Sequence, residues 1–208
     1  MKSKNIQTEI EEMDQAIRAG KASHVPTLVR KLSQSKIRRE DRAPLAAIAW
    51  RVNLPFIGVK LLNPLVRPTS KKPVNPTPFE KEEYGVSLIK VGAIEEGRKI
   101  LEDLEPAAQP RSLLYRAFAH IAQWEYQQSI PLLEQYLGQS NLENYPRLVG
   151  EANLAAALVY ERKFTASERL LKRFVKKCRD ENHQLLYGVA QELYANHYIN
   201  QKLWDRAH

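Results

Sequence analysis

The stretch 151-EANLAAALVYERKFTASERLLKRFVKKC-178 decides how the chain is read. It reads as two short helices folded back on each other. In its first half Ala155 is a small residue between Leu154 and Leu158. In its second half Ser167 follows Phe164, with Leu171 and Phe174 next at helical spacing. Small residues at these two places, twelve positions apart, let paired helices approach closely.

The same register recurs along the chain. Gly85 and Gly97 are followed by Leu101 and Leu104, Ala117 and Ser129 by Leu133 and Tyr136, and Ala195 pairs with Ala207. Upstream, Ala46 and Gly58 lead to Leu62 and Leu65, and a more degenerate unit runs from Met13 and Val25 to Val29 and Leu32. Three positions before the second marked residue stand Ile94, Tyr126, Phe164 and Trp204. Measured at that second residue, successive units lie 33, 39, 32, 38 and 40 residues apart. The pattern resembles the tetratricopeptide repeat, whose unit is about 34 residues long. The longer, unequal units point to the wider tetratricopeptide-like superfamily. The resemblance implies an all-α fold, a right-handed α-α superhelix built from antiparallel helix pairs. It divides the chain into degenerate repeats at 1–67, a proline-rich connector at 68–78, and better repeats at 79–208 with the last one incomplete. An unfinished final hairpin implies a fragment of a longer protein, or a partner that completes this end.

Composition narrows the setting. Hydrophobic residues make up 43% and charged residues 27%, which fits a helical core and excludes a disordered chain. No apolar run approaches the roughly 18–20 residues of a membrane span. The N-terminal MKSKNIQTEIEEMDQAI has basic residues but no apolar core behind them, so it does not read as a signal peptide. Cys178 is the single cysteine, which together with these features favours a reducing, cytoplasmic location. The formal charge of +8 concentrates at residues 30–42 and 172–179. In the second cluster Arg169, Lys172, Arg173, Lys176 and Lys177 share one helical face, opposite Leu170, Leu171, Phe174 and Cys178. Such a face is a solvated outer surface or a contact for nucleic acid, although no aromatics interleave it as base stacking requires.

In chain order, the pattern predicts helices at 6–18 with a Gly20 cap, from about Ser23 with Ser23 as N-cap, and from Asp41 as a second cap. A fourth helix starts at Pro55 and ends near Pro64. The segment 67-RPTSKKPVNPTP-78 is too rich in proline for a helix and reads as a stiff connector, a docked extended segment or a ligand for a proline-reading module. Further helices follow at about 79–91, 93–104, 111–122, 125–137, 145–161 and 164–178, with Pro131 expected to kink one of them or to free a carbonyl in it. A last pair starts near His183.

No catalytic chemistry is legible. The histidines His24, His120, His183, His197 and His208 have no zinc-site spacing, and neither a P-loop nor a nucleophile elbow is present. Cys178 at a helix C-terminus is poorly placed for an activated thiolate. No metal, cofactor or enzymatic activity is therefore expected. The resemblance implies instead a concave groove lined by the first helix of each pair. Carried over by position, it comprises Trp50 and Arg51, then Glu82, Glu83 and Lys90, then Arg111, Tyr115 and Phe118, then Asn153 and Tyr160, then Glu192, Asn196 and Asn200. Asn153 falls where the family often uses an amide to hold a partner's backbone; the alternative is an amide satisfied by solvent or by its own chain. The basic clamp of the chaperone-binding members is absent, because the corresponding positions hold Glu82 and Val86, Leu114 and Phe118, Ala152 and Ala156, and Glu192 and Asn196. The expected function is a protein- or peptide-binding scaffold or adaptor, with a nucleic-acid-associated repeat protein as the alternative.

Overall fold

The first helix of every pair ends in the same turn. A computed structural model describes residues 6–68 and 75–206. It contains eleven α-helices: α1 (Ile6–Arg18), α2 (Val25–Ser33), α3 (Arg39–Arg51), α4 (Pro55–Val66), α5 (Pro78–Lys90), α6 (Ile94–Glu102), α7 (Arg111–Ala122), α8 (Tyr126–Leu137), α9 (Asn144–Tyr160), α10 (Phe164–Asp180) and α11 (Gln184–Asn200), followed by a 3-10 turn at Trp204–Arg206. After each odd-numbered helix one residue takes a left-handed backbone: Gly20, Asn53, Gly92, Trp124, Arg162 and Lys202. The next N–H then bonds to the carbonyl five residues back, as Lys21 to Ala16, Leu54 to Ala49, Ala93 to Leu88, Glu125 to His120, Lys163 to Leu158 and Leu203 to Tyr198, at 2.8–3.0 Å. This is the Schellman closure, which satisfies a carbonyl the helix end would leave open.

The left-handed residues after the odd-numbered helices stand 33, 39, 32, 38 and 40 positions apart, the intervals measured between the marked residues of the sequence pattern, while Asn182 makes the same turn after α10, with the His183 N–H on the Cys178 carbonyl at 2.8 Å. Each of those after the odd-numbered helices lies five residues before the second marked residue of its unit. The periodicity is thus a property of the backbone as well as of the side chains. Ala207 lies outside the described residues, as do positions 69–74 of the expected connector.

The helices fall into two compact units, Met1–Tyr115 and Arg116–His208, with the boundary inside α7. In the first unit α3 packs on α4, α4 on α5, and α5 on α6, while α1 and α2 cover α3. Ile10, Met13, Ile17, Val25, Val29, Leu45 and Ile48 form one core, and Ala46, Leu62, Leu65, Tyr84 and Leu88 another. The marked glycines meet: a Cβ on Gly97 would lie 2.5 Å from the Gly85 carbonyl oxygen, and one on Gly85 would lie 2.8 Å from Leu101. In the second unit α8 packs on α9, α9 on α10, and α10 on α11. Leu148, Ala152, Phe174, Cys178, Leu186 and Ala190 fill its centre, and the marked Ser129 and Ser167 are wholly buried. The architecture is all-α, with helices packed on their sequence neighbours, consistent with a helical repeat array. None of the described helices is long and apolar enough to cross a membrane.

Three local expectations are corrected, and Pro131 frees a carbonyl inside α8, one of its two expected effects. The N-cap position of α2 is His24 rather than Ser23, and no side chain caps that end. α3 starts two residues before Asp41, whose buried carboxylate accepts a 2.9 Å hydrogen bond from Arg38 Nε. α4 continues through Pro64 to Val66, and α8 runs from Tyr126 to Leu137 with Pro131 inside it. The carbonyls that lose a donor four residues before these prolines belong to Lys60 and Gln127, both exposed, so water can take the place of the missing N–H. The sequence reading also missed the strongest cap in the chain. Thr77 Oγ1 accepts from the Glu80 N–H while the Glu80 carboxylate accepts from the Thr77 N–H, a complete capping box that starts α5 directly after the proline-rich segment.

Candidate functional site

Three odd-numbered helices of the first unit contribute to one polar cluster. The capping box fixes where α5 begins, and so fixes which face Glu82 and Glu83 present. Both side chains are fully buried. Arg111, in the first turn of α7, reaches both carboxylates, with Nη2 at 2.7 Å from Glu82 Oε2 and Nη1 at 3.3 Å from Glu83 Oε1. Glu83 also accepts from Trp50 Nε1 on α3 at 3.0 Å and from the Tyr115 hydroxyl at 3.2 Å. The Trp50 and Tyr115 rings meet edge to face at 5.7 Å. The Arg111 guanidinium lies 5.0 Å from the Phe79 ring centroid, and Lys90 Nζ lies 5.7 Å from that of Trp50.

One guanidinium therefore serves two buried carboxyls, and burial dominates the balance. Desolvation pushes Glu82 up to about 7 against the pull of Arg111, and it raises Glu83 and the Tyr115 phenol as well. Glu82 Oε1 and, on the facing turn, Ser112 Oγ are buried without a hydrogen-bond partner among the described residues. The water-facing part of this region is formed by half-buried Trp50, exposed Lys90 and Arg111, whose side chain keeps 39% of its surface. Arg51, next to Trp50, is held by Asp14 of α1.

Of the residues carried over by position, Trp50, Glu82, Glu83, Lys90, Arg111 and Tyr115 come together in this cluster. Glu82 and Tyr115 are buried in it, and Phe118 is buried further along α7. In the second unit Asn153 is half-buried and its amide donates to the Val149 carbonyl at 2.8 Å; Asn200 does the same to Asn196 at 2.9 Å. Tyr160 is exposed and stacks on Tyr126 at 4.7 Å. Asn196 is half-buried and Glu192 exposed. The basic face of α10 is as the pattern places it: Arg169, Lys172, Arg173 and Lys176 are exposed and Lys177 is half-buried, opposite buried Leu170, Leu171, Phe174 and Cys178. Lys172 pairs with Glu168 one turn earlier at 2.9 Å.

Two contributions had no sequence signal. Phe79 lies beside the proline-rich segment and reads as the start of a helix, yet it supports Arg111. Trp124 reads only as a turn residue, yet it is 76% exposed on a left-handed backbone and meets Tyr126 edge to face. Among the described residues no group of three or more acidic, histidine or cysteine side chains is placed to hold a metal ion. Comparison of the chain with protein-family models, with curated proteins and with solved structures finds no match.

Proposed function

We propose that the chain is a tetratricopeptide-like solenoid that acts without catalysis, as a scaffold or adaptor that holds a protein or peptide segment against the first helices of its pairs. The observation that carries this reading is the convergence of Trp50, Lys90 and Arg111 from three successive first helices on one polar and aromatic surface. Its groups suit a peptide: an indole face for an apolar side chain, and fixed cations for carbonyl or carboxylate oxygens. The buried carboxyls beneath hold those groups in place, as a second layer of hydrogen bonds does at binding sites generally. On this reading Asn153, Asn196, Asn200 and Tyr160 are contact residues of the second unit. The protein is expected to work in the cytoplasm.

The test is capture of partners from native lysate, with and without nuclease, by the wild-type chain and by three variants. Trp50→Ala with Lys90→Glu, or Asn153→Ala alone, is expected to lower retention of a nuclease-resistant protein at least severalfold. Charge reversal at Lys172, Arg173 and Lys176 is expected to leave it unchanged. The opposite result, with all capture lost on nuclease treatment and a steep dependence on salt, would transfer the function to the basic face of α10.

A further inference from the structure

The α5–α7 junction contains more acid than it can neutralise. Glu82 and Glu83 are adjacent, fully buried, and served by one guanidinium. One carboxylate oxygen, Glu82 Oε1, has no partner among the described residues, and neither has the buried hydroxyl of Ser112. Two ionised carboxylates beside one Arg111 would leave a net negative charge out of reach of water. Either a proton or an opening of the helix seam must relieve it.

Among the described residues no cation other than Arg111 contacts Glu82, and Arg39 of α3, which also reaches α5, is engaged by Glu80. From α7 the groups facing Glu82 are Arg111, the backbone N–H of Ser112 and the Tyr115 phenol. From its own helix the facing charge is Glu83. From α3, Trp50 and Arg51 act on Glu83, and Arg51 is already committed to Asp14 of α1. α4 and α6 meet α5 elsewhere, at Ser87, Tyr84 and Gly85. The charges there, Arg67 and Glu96, pair with each other and act on Tyr84.

We infer that the contact between α5 and the first turn of α7 is a proton-operated latch, closed tightly while Glu82 carries a proton and progressively loosened as Glu82 ionises. The proton suits the site because it removes the uncompensated charge while leaving the Arg111 contact to Glu83 intact. Since Arg111, Trp50 and Lys90 form the proposed contact surface, the latch also sets how rigidly that surface is held, but its operation does not depend on any partner being bound.

The direction of the effect follows from linkage. Glu82 sits at about 7 when closed and at its ordinary 4.5 when exposed by opening. Closure is therefore fully favoured below about 4.5, weakens by up to about tenfold per pH unit to about 7, and levels off above that. The whole span amounts to a change of a few hundredfold, on the order of 10^2.5, in the opening equilibrium.

The experiment is amide hydrogen exchange on the full chain from pH 5 to 8, corrected for the intrinsic rate, read at Ser112 to Tyr115. It is run for wild type and for the isosteric Glu82→Gln. Wild type is expected to lose protection by at least tenfold between pH 5 and 7 and then plateau, whereas Glu82→Gln stays flat. Carbon NMR of labelled glutamate side chains in wild type gives a readout that does not need the variant to fold, and one carboxyl is expected to titrate near neutrality. Flat protection in wild type, pH dependence surviving in Glu82→Gln, or all glutamates titrating below about pH 5 would each overturn the latch. None of these outcomes bears on whether a partner binds, so the latch and the scaffold reading fail separately.

Discussion

At the scale of single residues the buried cluster turns on Arg111. Replacing it with Met removes the one cation that, among the described residues, touches both carboxyls and leaves them buried without a counter-ion. Breaking such a pair costs roughly 3 kcal/mol, the lower end of the usual range, because Arg111 is partly solvated and Glu82 can take up a proton. If the cost is electrostatic, Glu82→Gln in the Arg111→Met background should recover part of it. Urea unfolding of both single variants and the double variant gives the coupling directly, and additive losses would mean that Arg111 acts by packing on Phe79 instead. The burial and the pairings in this arrangement are not readable from the chain. Glu82 and Glu83 stand in KEEYG, which the repeat register assigns to the groove face but which carries no sign of full burial. Their burial depends on Trp50 and Arg111, which lie 33 and 29 positions from their partners, and a sequence pattern of local period carries no record of such pairings. Position in the repeat did place these residues on one face. It did not distinguish the side chains that reach water from those that support them.

At the scale of helices the sequence was far more legible, because the same constraint is repeated. Two helices that approach closely need a small residue on each, and the turn joining them needs one left-handed residue and a back-bonded N–H. Those requirements impose a fixed offset between Gly92 and Gly97, between Trp124 and Ser129, and between Arg162 and Ser167. What stayed hidden is local tolerance. The pattern ends a helix near Pro64, yet α4 runs on to Val66, and the carbonyl that Pro64 leaves without a donor belongs to exposed Lys60. The marked glycines permit an opposed pair of predictions. In an exposed helix Gly→Ala normally stabilises by about 0.5–1 kcal/mol. Gly188 in α11 has nothing within 4 Å of a new Cβ, so Gly188→Ala should show that gain. Gly97→Ala should reverse the sign and destabilise by about 2 kcal/mol, because the obstruction is the backbone oxygen of Gly85, which cannot rotate away. Urea midpoints measure both, and a stabilised Gly97→Ala would show that α5 and α6 are not in the close contact on which the repeat rests.

At the scale of the whole molecule the two units should answer acid in opposite ways. In the first, the Glu82 site tightens as pH falls. In the second, His197 is buried between α10 and α11, and its hydrogen bonds are consistent with a neutral ring: Nδ1 lies 3.0 Å from Ser167 Oγ, which itself donates to the Phe164 carbonyl, while Gln201 Nε2 lies 2.7 Å from Nε2. With Nδ1 donating to the hydroxyl and Nε2 accepting from the amide, a second proton has no place. Burial accordingly lowers the pKa of His197 below its ordinary 6.5, with Glu168 opposing the shift. A group depressed in this way contributes stability that is complete above 6.5 and is lost as pH falls through the folded value, the reverse of Glu82. The α10–α11 seam also encloses Cys178, whose thiol is wholly buried and pushed up to about 11 mainly by desolvation, so it should resist thiol reagents at neutral pH. Its labelling by a pyridyl disulfide, normalised to the unfolded chain at each pH, thus reports opening of that seam. The rate should rise as pH drops from 7 to 5.5, while exchange at Ser112 to Tyr115 slows over the same range. In His197→Gln the labelling should become independent of pH while the exchange profile is unchanged. A wild-type labelling rate that does not move with pH would show that the seam tolerates a charged His197, and the acid response of the second unit would then have to come from another group.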